Sequence, residues 1–130
     1  VSGPSTYLSW DEVGCADGTP YPDGWRSTRG VALGEMFEAF RKECGDRPLK
    51  ILSGYRTPSH NYAVGGAPES QHVQGTALDI VRPDDLSFGE LVAAAFRVVE
   101  LGLLRGVGLY KHSTSIHLDI RPGKLAVWVK

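Results

Sequence analysis

Ser115-Ile116-His117-Leu118-Asp119-Ile120-Arg121 alternates apolar and polar residues. Successive side chains of an extended chain point to opposite faces, so Ile116, Leu118 and Ile120 share one face and His117, Asp119 and Arg121 the other. A strand with one wholly apolar face lies on a core, and its His/Asp/Arg face lines something polar. Thr76 to Val81 reads as a second, mostly buried strand, with Asp79 between Leu78 and Ile80. A carboxylate there is costly unless it is paired or metal-bound.

The flanking sequence supplies the rest of the fold. Leu49–Ser53, Gly106–Tyr110 and Leu125–Val129 are further short strand candidates, with Pro122-Gly123 turning between the last two strands. Leu33, Met36, Phe37 and Phe40 recur at helical spacing before Gly45, which predicts a helix over about 27–44. Ser9-Trp10-Asp11-Glu12 and Ser87-Phe88-Gly89-Glu90 are capping-box patterns. The second opens a helix through Leu91, Val92, Ala95, Phe96 and Val99 that stops near Gly102. A short helix is expected from Ser59 to Val64, and Asp17–Gly24 is loop. Helices and strands mix without a βαβ rhythm, so the chain reads as α+β, with helices packed on a small, mainly antiparallel sheet. No repeat or low-complexity tract interrupts it, and residues 1–130 are expected to form one domain.

Fourteen Lys and Arg against fifteen Asp and Glu give a net charge of −1. That balance argues against a nucleic-acid partner or a polybasic membrane anchor. No apolar run approaches the roughly 18–20 residues of a membrane span. The 16 glycines among 130 residues exceed the usual share of about 7% and point to many tight turns. Cys15 and Cys44 are too few for a disulfide scaffold and too far apart for a CxxC motif. One bridge, slightly favoured and implying an oxidising compartment, or two buried thiols both fit. Opening on Val1 rather than Met suggests a trimmed or mature chain.

Metal-competent residues gather in Ser53–Asn61, Ser70–Asp79 and Ser115–Arg121. His72 precedes Asp79 by seven residues across Gly75, so a loop and a strand can bring both to one point. Two imidazoles and a carboxylate, here His72, Asp79 and His117, form a three-ligand set that suits Zn²⁺ and leaves a fourth position for water. Spacing alone leaves a buried salt bridge open as the alternative.

These segments resemble the zinc D-Ala-D-Ala carboxypeptidase family of bacterial cell-wall peptidases, whose fold relatives include phage L-alanyl-D-glutamate endolysins and the hedgehog signalling domain. Ser70, His72, Gly75, Ala77 and Asp79 match the family's SxHxxGxAxD motif, Ser53–Pro58 its SGYR segment, and His117-Leu118-Asp119 the late strand carrying the last ligand. The resemblance implies a hedgehog/D-Ala-D-Ala-peptidase-like fold and Zn²⁺ on His72, Asp79 and His117. It implies a zinc peptidase that hydrolyses a D-amino-acid-containing bond of the peptidoglycan stem peptide, in the periplasm or outside the cell at the wall, with a host or a phage as its source; the chain is expected to be a monomer. Arg56 would stabilise the carbonyl oxyanion or hold a substrate carboxylate, against an ion pair with Asp79 or Asp119. Ser70 would bind substrate or cap its loop.

One departure stands out. Many family members carry Asp or Glu three residues before the last ligand as general base; here that residue is Thr114. His112 and Asp119 are the substitutes expected for a catalytic role, with a surface position for His112 and a ligand-orienting role for Asp119 as alternatives. His60 is expected to fix the Arg56 turn. A zinc-holding module that binds cell-wall peptide, glycan or protein without cleaving is the rival reading. A Ser-His-Asp hydrolase ranks below both, since no GxSxG elbow is present.

Overall fold

The computed structural model describes residues 2–110, 112 and 114–130. The expected capping boxes form. Ser9 caps α1 (Trp10–Val13) and Ser87 caps α4 (Phe88–Glu100), each exchanging hydrogen bonds with the Glu three residues on. The long helix begins with a π turn, Arg26–Gly30, that runs into α2 (Val31–Glu43). Cys44 ends it, and Gly45 follows at φ 78°. Thr57 caps the short α3 (Pro58–Ala63).

Five strands, β1 (Lys50–Ser53), β2 (Ala77–Val81), β3 (Gly106–Leu109), β4 (Ser115–Asp119) and β5 (Ala126–Val129), form one sheet in the order β1-β2-β4-β3-β5. Every pairing is antiparallel except β3 with β5. The last two strands therefore do not form a hairpin around Pro122-Gly123. Both edges of β4 are already taken by β2 and β3, so β5 adds in parallel to the free edge of β3.

One sheet face carries Leu78, Ile80, Val107, Ile116 and Leu118 into a core shared with Leu33, Met36, Phe37 and Phe40 of α2 and Leu91, Ala94, Ala95 and Val98 of α4. The buried stripe of α4 is rotated from the expected one: Ala94 and Val98 face inward, while Val92, Phe96 and Val99 are half-buried. Helix α4 lies against α2, and the two small alanines sit in its buried stripe.

The opposite face carries the polar residues, and register puts them in rows. Ser53 pairs with Asp79, Asp79 with His117, His117 with Gly108, and Gly108 with Trp128. The adjacent row runs Ala77, Asp119, Gly106 and Ala126. Direct cross-strand partners hold their Cβ atoms roughly 4.5–5.5 Å apart, so the register brings Asp79 and His117 into contact.

Cys15 and Cys44 are both buried free thiols, so the expected bridge is not present. Cys44 closes the end of α2 inside the core, whereas Cys15 lies beside Thr57 at the start of α3.

Candidate metal centre

His72 enters from a loop held by its glycine. Gly75 adopts φ 70°, and a Cβ there would press on the Trp25 ring, while its carbonyl accepts the Tyr21 hydroxyl at 2.7 Å. The same loop lets the Ser70 hydroxyl accept the His72 N–H at 3.2 Å, so Ser70 caps its loop while also lining the cleft.

His72 Nδ1 lies 2.7 Å from the Gly54 carbonyl. A carbonyl only accepts, so Nδ1 carries the proton and Nε2 presents a lone pair. His117 Nε2 lies 2.8 Å from Asp119 Oδ2. Its proton therefore sits on Nε2, and Nδ1 presents the lone pair. Both lone pairs face one carboxylate oxygen: Asp79 Oδ1 is 3.2 Å from His72 Nε2 and 3.0 Å from His117 Nδ1. The three residues are buried, and their donor atoms all lie within 4.8 Å of one another.

Three converging lone pairs need a positive charge between them. One proton on His117 binds Asp79 but leaves His72 Nε2, buried and 3.2 Å from the carboxylate, without a hydrogen bond. A cation at the centre satisfies all three at once. Bond lengths of about 2.0–2.2 Å to N and O in a tetrahedral shell set the donors roughly 3.3–3.6 Å apart. The donor set fits Zn²⁺, with no sulfur ligand and no fourth protein ligand among the described residues.

The electrostatics agree with this convergence. Burial pushes the Asp79 carboxyl up, but the His117 and His72 rings packed against it hold it well below the usual carboxylate range. For His117, burial opposes the charged ring, yet its bonds to Asp119 and Asp79 outweigh that and raise its pKa.

Asp119 is fully buried behind His117 and does not face the cleft. Its Oδ1 accepts the Arg121 backbone N–H and Nε–H at 3.1 and 2.8 Å; its Oδ2 accepts His117 Nε2–H and Arg121 Nη2–H at 2.8 and 2.7 Å. Burial raises its pKa, but these bonds bring it down to about 2. With every acceptor direction used, Asp119 fits the ligand-orienting alternative rather than a group that touches substrate. Gly106, opposite Asp119, leaves the space its carboxylate occupies; a Cβ there would overlap it. Arg121 in turn lies over the Trp128 ring, which packs 5.0 Å from the His117 ring.

Arg56 is steered by three partners: Ser53 Oγ at 3.2 Å from Nε, Asn61 Oδ1 at 3.3 Å from Nη1 and Asp79 Oδ2 at 3.4 Å from Nη2. Arg56 pairs loosely with Asp79, as the ion-pair alternative expects, and still lines the cleft. His112 is exposed, and with Asp79, Tyr110, Ser115 and Lys130 it borders a shallow depression beside the cleft. Thr114 is exposed and contributes its carbonyl to the Arg82 N–H. His60 is not part of this centre.

His72, His117, Arg56 and Ser70 line an open cleft of about 560 Å³ together with Glu69, Tyr110, Arg121, Trp128 and Lys130. Sequence reading did not single out Tyr110, Trp128 or Glu69. Tyr110 ends one predicted strand and Trp128 lies inside another, and strand alternation alone does not tell a cleft-facing aromatic from a core one. Glu69, just before the motif, is the single carboxylate of the lining among the described residues.

A family model for peptidase M15 matches residues 8–119. Over 56 residues the chain is 38% identical to the zinc D-Ala-D-Ala carboxypeptidase of Streptomyces albus G. That match covers 42% of this chain and 22% of the relative's length. The family match takes in both helices of the core, the three convergent donors and Arg56, and with it the chain belongs to the peptidase M15 family.

Proposed function

We propose that residues 1–130 act as one zinc peptidase domain, working as a monomer on the peptidoglycan stem peptide and cutting a bond that contains a D-amino acid. The observation that carries this reading is the convergence of His72 Nε2, Asp79 Oδ1 and His117 Nδ1 beside an open cleft, each imidazole held to one tautomer by a partner behind it. Zinc, when bound there, lowers the pKa of a coordinated water towards about 7 and polarises the scissile carbonyl.

The chain's own residues do the rest. Gly54 and Asp119 orient the two histidines and keep their metal-facing nitrogens unprotonated. Arg56, always charged and held by Ser53 and Asn61, stabilises the oxyanion of the attacked carbonyl. Lys130 and Arg56 bring positive charge to a lining whose one carboxylate among the described residues is Glu69, while Arg121 is already paired with Asp119, and this favours a peptide bearing a free carboxylate. Ser70 offers its hydroxyl to substrate, and His112 at the rim, with Glu69 in the lining, stands where a proton can be taken from water or given to the leaving amine. The Streptomyces albus G relative, a zinc D-Ala-D-Ala carboxypeptidase, supports the substrate class, and action on a wall substrate means a protein of the periplasm or the cell exterior.

Thr114 in place of an acid supports the second reading, a zinc module that binds wall peptide without cleaving it. Digestion of muropeptides by the zinc form, followed by mass spectrometry with a His72→Ala control, separates the two. Loss of terminal alanine identifies a carboxypeptidase, and cleavage within the stem or cross-bridge an endopeptidase. Binding without products in the zinc-loaded protein refutes the peptidase reading.

A further inference from the structure

A second group of metal-competent side chains lies outside the cleft, where the loop after α1 meets the start of α3. Asp17 Oδ1 accepts the Thr19 N–H at 2.9 Å, and its Oδ2 accepts the Thr57 hydroxyl at 2.9 Å. That hydroxyl also caps α3 by accepting the His60 N–H at 3.2 Å. The Cys15 sulfur lies 4.0 Å from Thr57 Oγ1. The donor atoms of Cys15, Asp17 and His60 all fall within 4.8 Å of one another.

We infer that Cys15, Asp17 and His60 form a second metal site, which takes a borderline-soft divalent cation of the Zn²⁺ class and clips the 15–19 loop to α3. The donor types choose the cation. A thiolate excludes Ca²⁺ and Mg²⁺, which take oxygen ligands, whereas sulfur, imidazole and carboxylate together suit zinc. Bonds of about 2.3 Å to sulfur and 2.0–2.2 Å to nitrogen and oxygen put tetrahedral donors roughly 3.3–3.8 Å apart. Asp17 is exposed and His60 half-buried, so small side-chain rotations reach that spacing, and water completes the shell on the open side. Cys15, 7% exposed, forms the inner wall.

On metal binding the Cys15 thiol gives up its proton to solvent, and the cation takes its place. Tyr55 donates its N–H to the Val13 carbonyl at 2.8 Å, and Asn61 of α3 holds Arg56, so the clip fastens both sides of the Arg56 turn. The inference is independent of the cleft's chemistry, since none of the three residues lines the cleft.

The cleft donors include no sulfur, so cobalt separates the two sites. Titration of the reduced protein with Co²⁺ alone, followed in the near ultraviolet, reports thiolate-to-cobalt charge transfer. The site predicts a saturable band with the amplitude of one cobalt–thiolate bond per chain, which persists in His72→Ala, where it saturates with a single Co²⁺ per chain, and in Cys44→Ala, and disappears in Cys15→Ser and in His60→Ala. His60→Ala carries the test if Cys15→Ser does not fold. No band in the folded wild-type protein at saturating Co²⁺, or a band retained in either Cys15→Ser or His60→Ala, overturns the inference.

Discussion

Replacing Asp119 by Asn removes one acceptor and little volume from the back of the metal centre. Asp119 accepts four hydrogen bonds, two on each oxygen. An amide cannot accept on both sides, so one pair of donors meets an NH₂. If the amide nitrogen takes the Oδ2 position, it faces His117 Nε2–H and Arg121 Nη2–H. The ring relieves that clash by moving its proton to Nδ1, the atom that points at Asp79. A zinc ligand is then lost in that tautomer, and restoring it requires the opposed-donor arrangement. If the nitrogen takes the Oδ1 position, the Arg121 clamp loosens and His117 loses an ionised acceptor. Losing an orienting partner of this kind weakens metal affinity by roughly 10–100-fold, or about 1.4–2.7 kcal/mol. Competition between Asp119→Asn and a chromophoric chelator for zinc measures it, with circular dichroism to confirm the fold. Unchanged zinc affinity in a folded variant would show that Asp119 does not set the His117 tautomer, and the reasoning fails.

Further perturbations test other parts of the structure. Arg56→Ala should retain zinc while turnover of a muropeptide falls by roughly 10²–10³-fold, as for loss of one oxyanion donor; near-normal turnover with metal bound contradicts the assigned role. Gly106→Ala forces a methyl into the Asp119 carboxylate, which predicts about 1–3 kcal/mol of destabilisation in urea together with weaker zinc binding. Burial pushes the Cys44 thiol up from 9.0 to about 11, against the opposing charges of Arg47 and Arg97. The unfolded thiol therefore loses its proton first, and this contribution is intact below pH 9 and lost as pH rises through about 11. Wild type should lose on the order of 2 kcal/mol relative to Cys44→Ala across that window; parallel urea midpoints for the two proteins across it contradict the assignment.

Much of the fold is legible where one local rule decides it. Both capping boxes, the Gly45 stop after α2 and the alternation of β4 need only neighbours in sequence. The three donors were legible as residue types at a spacing, and their convergence follows from the Asp79–His117 register. What stayed hidden depends on pairing between distant segments. The parallel addition of β5 to β3 follows from which sheet edge remains free, and the tautomers of His72 and His117 follow from Gly54 and Asp119 behind them. Asp119 read equally well as a catalyst or a support until its four donors were placed. Cys15 and His60 are 45 positions apart, and only the packing of the loop after α1 against α3 brings them together.

Anomalous diffraction at the zinc absorption edge, from crystals of the zinc-loaded protein, tests directly whether His72, Asp79 and His117 hold the metal. A peak bonded to His72 Nε2, Asp79 Oδ1 and His117 Nδ1 is expected, with Asp119 still hydrogen-bonded to His117 Nε2. Full zinc loading with no peak among these three atoms, or zinc held through His117 Nε2, contradicts that coordination.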